Sequence, residues 1–417
     1  MAANRLDPIS AAWAKLVSAS YGQATDQVEQ AILGYTMETY KQLFGSFKDG
    51  FKTVYKDGFE KALPLQKQVL AQVNLVTFSG VKAIGAQQTL GKKLYDADGK
   101  ILSKEDFAKE AQKLNKEYNI NHLNAERQAC IGGGISAGQW QQVQASKDVY
   151  PYLRYQTVGD AHVRPEHQAL NGITKPVDDP FWQSYYPPNG WNCRCHAEPV
   201  MEGKVTSDKV VTSKVKEAKV PAAFQTNPGI SGQVFNVDAV IMGSLIDRRS
   251  LVKIVAKVLE RFGKFELKTH SSGGLYLVHP QALKQAAKSK NEMAKWVREK
   301  DAMEQIIATG KQVLKLPESS ITGDPQPDLF DLLDWSTAEI KHIDKATNLG
   351  RAIKTHLNSA RKQKVKRVYV FMGDDTGVSE IKDAYAEYLR SDEGRKEPFN
   401  NGRAMFFKDG KPFWATP

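Results

Sequence analysis

Between Thr157 and Pro199 the chain reads TVGDAHVRPEHQALNGITKPVDDPFWQSYYPPNGWNCRCHAEP, and this stretch constrains the fold more than any other. Asp178, Asp179, Pro180, Pro187, Pro188, Asn189 and Gly190 are turn formers, so the backbone here is expected to be irregular rather than helical. An irregular segment of that length needs something other than a hydrogen-bonded ladder to hold it. The stretch carries His162 and His167 at its start and Cys193, Cys195 and His196 at its end, and the chain has three cysteines in all. His167, Cys193 and Cys195 offer three ligands of a tetrahedral Zn²⁺ site, with His162, His196 or Asp160 as the fourth. The competing expectation is a turn closed by hydrogen bonds and by the rings of Trp182, Tyr185, Tyr186 and Trp191. A disulfide between Cys193 and Cys195 would close a small, strained ring and is discounted.

The combination Asp160, Arg164, Pro165, His167, Leu170, Gly172, a proline-rich loop and then Pro-Asn-Gly-Trp-Asn-Cys-Arg-Cys resembles the phage head morphogenesis family of Mu F-like minor capsid proteins. Pro221-Ala-Ala-Phe-Gln-Thr-Asn-Pro-Gly229 resembles a piece that often follows that core. The resemblance covers about residues 60–235 and is firmest over 150–200. It implies a low-copy component of tailed-phage heads, located in the virion, with capsid and portal proteins as partners.

A chain of 417 residues exceeds one ordinary domain. Its 41% hydrophobic and 25% charged residues are ordinary for a globular protein. No run of eighteen apolar residues occurs, and Arg5, Asp7 and Lys15 interrupt the start. Neither a membrane span nor a secretory signal is therefore expected, and no membrane partner. Three cysteines argue against a disulfide scaffold and for a reducing cytoplasm. The net charge of +11 favours a polyanionic partner.

Residues 1–120 read as a helical region. Ile9, Trp13, Leu16, Val17 and Tyr21 recur at helical spacing, and further helices are expected over Ala24–Phe44 and Leu65–Leu94. Ser103-Lys-Glu-Asp106 resembles a capping box opening the next. Residues 121–200 form the Mu F-like core. A helix from Asn121 to about Cys130 is expected to end at Gly132-Gly-Gly134, a hinge or tight packing point, with Cys130 in the core. Residues 201–245 read as a linker and 246–417 as a separate domain.

In that last domain a helix over 291–308 buries Met293, Trp296, Val297, Met303, Ile306 and Ile307. Val313–Leu316 follows as a strand, then a loop over 317–326. Alternation in Thr337-Ala-Glu339-Ile-Lys341 puts Glu339 and Lys341 on one face and Ile340 on the other. A hairpin brings Asp328 to the same face. Two carboxylates and a lysine suit phosphodiester hydrolysis: Asp328 and Glu339 hold Mg²⁺ or Mn²⁺, and Lys341 steadies the attacking water or the developing charge. The helix over 348–363 carries an apolar stripe of Leu349, Ile353, Leu357 and Ala360. From Lys341 to Arg367 nine Lys/Arg oppose the single acid Asp344. Lys345, Arg351, Lys354 and Lys362 are the expected nucleic-acid contacts.

Pro-Asp…Glu-x-Lys resembles the PD-(D/E)xK nuclease core, and the wider pattern over 285–417 is similar to tRNase toxin domains of contact-dependent inhibition proteins. The barnase, EndoU, colicin and RelE group has a comparable layout. The first resemblance implies an upstream glutamate, Glu292, Glu299 or Glu304. A barnase-like domain implies instead metal-independent chemistry by Lys341, Thr355, His356 or Arg361. Such a domain implies an RNA (tRNA) or DNA substrate, a cognate immunity protein, and action in the host cytoplasm. The whole is an α+β multidomain chain: a mostly helical N-terminal half with an irregular Cys/His loop region, then an α/β nuclease-like domain on a central mixed sheet. The function expected is a phage minor head protein fused to a nuclease effector. The alternative is a structural virion protein whose C-terminal domain binds nucleic acid without cleaving it.

Overall fold

The computed structural model describes residues 7–22, 24–244, 246–318, 327–363, 365–373, 376–391 and 404–414. It divides into two compact units, residues 1–258 and 259–417, and the helix Arg248–Gly263 runs across the division.

The first unit is built on helices Pro8–Ser20, Thr25–Val54, Leu65–Lys92, Lys104–Lys116 and Leu123–Ser146. Asp7 caps the first by accepting from the Ile9 and Ser10 amides, and Ser103 caps the fourth by accepting from Asp106. Trp13, Leu16, Tyr35, Leu43, Phe47, Val73, Val76, Ala83 and Cys130 lie in the core. The Leu65–Lys92 helix is long and apolar enough to cross a membrane by length and composition alone, and most of it is buried in this unit.

Two helices run further than their sequence suggests. Thr25–Val54 continues through Phe47-Lys-Asp-Gly50, and Leu123–Ser146 passes through Gly132-Gly-Gly134 rather than ending there. The glycines are the crossing point of these two helices. A Cβ on Gly134 would overlap the Phe47 carbonyl, and one on Gly50 would overlap that of Ile131. The helices bury their backbones against each other, and that contact offsets the entropy cost of glycine within a helix.

Residues 150–200 supply a three-stranded antiparallel sheet. Strand β1 (Tyr152–Gln156) is central, between β2 (Thr174–Pro176) and β3 (His196–Val200). Short helices Pro165–Leu170 and Phe181–Tyr185 interrupt the loop, so the stretch is less irregular than its composition implies.

Residues 201–244, expected as a linker, are packed. Val220, Phe224, Phe235 and Val237 are buried, and Asn74 in the third long helix accepts from the Val234 and Phe235 amides and donates to the Phe235 carbonyl. In Asn227-Pro-Gly229 the Asn227 side chain accepts from the Gly229 amide at 2.9 Å and donates to the Trp182 carbonyl at 3.0 Å. A Cβ on Gly229 would collide with Trp140. That motif clamps the aromatic part of the Cys/His region onto the helices.

The second unit is an eight-stranded mixed sheet with order β11-β10-β9-β8-β7-β6-β5-β4. Its strands are β4 (Glu266–Thr269), β5 (Leu275–Val278), β6 (Gln312–Lys315), β7 (Leu329–Asp331), β8 (Ser336–Ile343), β9 (Arg367–Met372), β10 (Ala404–Lys408) and β11 (Lys411–Trp414). Pairs β5–β6, β8–β9 and β9–β10 are parallel and the rest antiparallel. Helix Lys290–Ala308 packs Ala302, Met303, Ile306 and Ile307 against Val313, Ala338, Ile340, Tyr369 and Phe407. Met293 and Val297, expected to be buried, are exposed, because the face that meets the sheet runs through Trp296, Glu299 and Met303 and leaves them on the other side of the helix. On a second cluster, helices Leu349–Lys362 and Val378–Arg390 bury Ile353, Leu357, Ile381 and Tyr385 against Val368, Val370 and Phe406. The loop expected over 317–326 is described only for 317–318.

Candidate functional site

In the second unit, β7 and β8 form the antiparallel hairpin that the alternation called for, with Leu329 opposite Ala338. Continuing this register sets Asp328 opposite Glu339, so both carboxylates share a face. Ile340 points into the hydrophobic cluster on the other side. The Ile340 amide donates to Asp328 Oδ2 at 2.9 Å, which fixes Asp328 at the mouth of the hairpin.

Around this pair lie two sets of ion pairs. Lys341 Nζ donates to Glu339 Oε1 at 2.6 Å. Lys315 Nζ lies 3.5 Å from Asp328 Oδ1 and 2.9 Å from Glu299 Oε2. Glu299, Lys315 and Glu339 are all buried, and Lys341 is half-buried. Burial above all, and then the charge of Asp328, raises the Glu339 carboxyl from its ordinary 4.5 to about 7. Its Oε2 is buried with no hydrogen-bond partner among the described residues. Burial pushes the Lys315 ammonium down, but the charges of Asp328 and Glu299 outweigh it and the net shift is upward.

Of the three upstream glutamates named from sequence, Glu299 joins the cluster. Glu304 faces solvent, and Glu292 is half-exposed near the helix start, lining a small cavity of about 30 Å³ with Glu299 and Lys315. Lys315 was not singled out in the sequence. Its signal was there, as a lysine in the otherwise apolar strand Val313-Leu-Lys-Leu316, where a buried charge requires partners. His342 was also missed: it is half-buried, stacks on Phe371 at 5.3 Å and is held low by burial and then by Arg298.

His356 lies on the Leu349–Lys362 helix and is held low by burial and by the Lys341 charge, so it stands on the same side as Lys341. Thr355 is exposed, and Arg361 is half-exposed on the last turn of that helix. Lys345, Arg351, Lys354 and Lys362 occupy solvent-facing positions, a basic surface on and just before that helix.

The first unit holds the second candidate. His167, on the Pro165–Leu170 helix, is buried with Nδ1 directed at Cys193 Sγ, 3.5 Å away, and Cys195 Sγ, 3.6 Å away. Of the fourth ligands named from sequence, Asp160 is held by Arg194 through two bonds of 2.7 and 2.8 Å. His196 is exposed at the start of β3, and His162 lines a cavity of about 20 Å³ with His167, Cys193 and Cys195. Trp182 and Tyr186 are buried, and Trp182 Nε1 donates to the Pro176 carbonyl at 3.0 Å. Trp191 is part-exposed and meets Phe224 edge-on at 4.9 Å. Aromatic packing thus holds the middle of the stretch, and the Cys/His group closes its end.

Residues 99–198 match the family described as Phage Mu protein F like protein. A protein of Escherichia phage Mu described as a capsid assembly protein F is 36% identical over 112 residues, covering 27% of this chain and 23% of that protein. The Mu-like prophage FluMu F protein of Haemophilus influenzae is 44% identical over 71 residues, 17% of each chain. The chain thus spans less than a quarter of the length of either relative. No solved structure matches it. The matched segment takes in the Cys/His group and ends before the eight-stranded sheet begins.

Proposed function

We propose that the protein, whose residues 99–198 match the Mu F-like family, takes part in phage head assembly and carries a phosphodiester-hydrolysing site in residues 259–417. The head role rests on the relative described as a capsid assembly protein. Capsid and portal proteins are its proposed partners, and the virion its location. The hydrolytic role rests on one observation: Asp328, Glu339 and Lys341 lie with Glu299 and Lys315 in one group of buried and half-buried charges beside a basic helix. Such groups of perturbed charges cluster at functional sites.

The donor set fits Mg²⁺ or Mn²⁺, because Glu339 Oε2 is buried without a partner and Asp328 faces it. Such an ion, when bound, polarises the phosphate and lowers the pKa of attacking water. The protein groups supply the rest. Lys341 neutralises charge developing on the phosphoryl oxygens. Lys315 holds Asp328 and Glu299 in place, and Arg351, Lys354 and Lys362 draw in the nucleic-acid backbone. RNA, tRNA in particular, or DNA is the proposed substrate, with action in the host cytoplasm and a cognate immunity protein protecting the producing cell.

The test uses the full chain. Cleavage of tRNA or plasmid DNA in Mg²⁺, lost in Glu339→Ala, supports the reading. Nucleic-acid retention by the wild type with no cleavage would favour a binding domain, and the ion pairs Lys341–Glu339 and Lys315–Glu299 would then be its structural core. Cosedimentation with phage heads, weakened by Trp182→Ala, tests the head role separately.

A further inference from the structure

We propose that His167 Nδ1, Cys193 and Cys195 hold one structural zinc ion as three corners of a tetrahedron, with the fourth corner open to the small cavity that His162 lines. Zinc bonds of about 2.3 Å to thiolate and about 2.0–2.1 Å to imidazole, set at the tetrahedral angle, separate sulfur from nitrogen by about 3.5–3.6 Å. The observed separations are 3.5 and 3.6 Å. All three ligand atoms lie within 4.8 Å of one another.

A hydrogen bond alone does not account for this arrangement. One imidazole nitrogen makes one strong bond, either donating to a thiolate or accepting from a thiol. Here two sulfurs stand at nearly the same distance from the same nitrogen. The site is also built from separate elements: His167 from a helix, and the cysteines from the loop between the Phe181–Tyr185 helix and β3. Gly190 makes the approach feasible, since a Cβ there would press on the Arg164 guanidinium at 2.7 Å and on the His167 ring at 3.3 Å.

The buried Tyr155 hydroxyl donates to Asn189 Oδ1 at 3.1 Å, so the loop that carries the cysteines is fixed to β1. Two half-buried thiolates side by side repel each other without a cation, and a divalent ion with two thiolates is neutral. Thiolate and imidazole ligands favour zinc over Mg²⁺ or Ca²⁺. The fourth corner does not come from Asp160, whose carboxylate oxygens are both taken by Arg194, nor from His196, which is exposed at the strand start. A cavity of about 20 Å³ has room for one water, which needs about 10–15 Å³. Zinc there ties the end of the Cys/His stretch to the Pro165–Leu170 helix, between Trp191, which packs on Phe224, and the start of β3.

Full-length chain, purified without a metal-affinity tag under reducing conditions from zinc-supplemented cells, is assayed by elemental analysis. One zinc per chain is expected, lost in Cys193→Ser, Cys195→Ser and His167→Ala and kept in His196→Ala. Reconstitution with Co²⁺ is expected to give tetrahedral d–d bands and thiolate charge transfer. If the ligand variants fail to fold, mercurial titration of the wild type is expected to release zinc in step with thiol modification. Wild type that carries no zinc, carries iron instead, or keeps its zinc through thiol modification would overturn the proposal.

Discussion

Replacing Glu339 with glutamine is the most informative perturbation of the charge cluster. Burial, and then the charge of Asp328, raises this carboxyl from 4.5 to about 7, and the residue is only 5% exposed, so solvent screens the effect little. The unfolded chain releases the proton near the ordinary value, whereas the folded chain retains it to neutrality. Stability from this group is therefore complete below about pH 4.5, falls as pH rises towards 7, and levels off above it. At about 1.4 kcal/mol per pH unit, that fall amounts to about 3 kcal/mol. Glutamine keeps the acceptor for Lys341, which donates at 2.6 Å, and carries no charge to bury. Glu339→Gln is expected to match wild type near pH 5 and to exceed it by about 3 kcal/mol near pH 8. Urea unfolding of the full chain across that range, following the transition that Ile306→Ala also moves, measures it. A variant less stable than wild type by the same amount at both pH values would refute the burial argument.

Other changes probe separate parts of the account. Lys315→Met strands two carboxylates and should cost about 3–5 kcal/mol near pH 8, with a smaller loss near pH 5 where they can protonate, read in the same urea series. Gly134→Ala should cost at least about 1–3 kcal/mol, because the helix crossing has no room for a methyl group; thermal unfolding of the full chain reports it. Asn74→Ala removes bonds to Val234 and Phe235 and should cost about 3 kcal/mol through unpaired buried backbone. Mn²⁺ near pH 8 should raise the wild-type unfolding midpoint and leave Glu339→Gln unmoved, since binding to the native state alone stabilises it.

Much of the helical half was legible because Ile9, Trp13 and Leu16 repeat at helical spacing and Ser103 announces a cap. At 132–134 the tight packing point was legible but the run of the helix through it was not, since a glycine run that ends a helix and one that lets two helices touch look alike until the partner helix is known. The hairpin placing Asp328 against Glu339 followed from alternation. Choosing Glu299 over Glu292 and Glu304 required the angle at which its helix meets the sheet, and the same missing information hid the exposure of Met293 and Val297. Lys315 went unnoticed because its partners lie 16 residues upstream and 13 downstream, beyond any local pattern. Residues 201–244 look like a connection by composition. Their packing comes from Phe224, Phe235 and Asn227, isolated anchors that local periodicity does not reveal.

The central claim, that the cluster at Asp328, Glu339 and Lys341 breaks phosphodiester bonds, is tested most directly by incubating the full chain with total tRNA and with plasmid DNA, each in Mg²⁺ and in EDTA, beside Lys341→Ala. Cleavage that both EDTA and the substitution abolish is the predicted result. Intact substrates in every condition, with a folded protein, would contradict it.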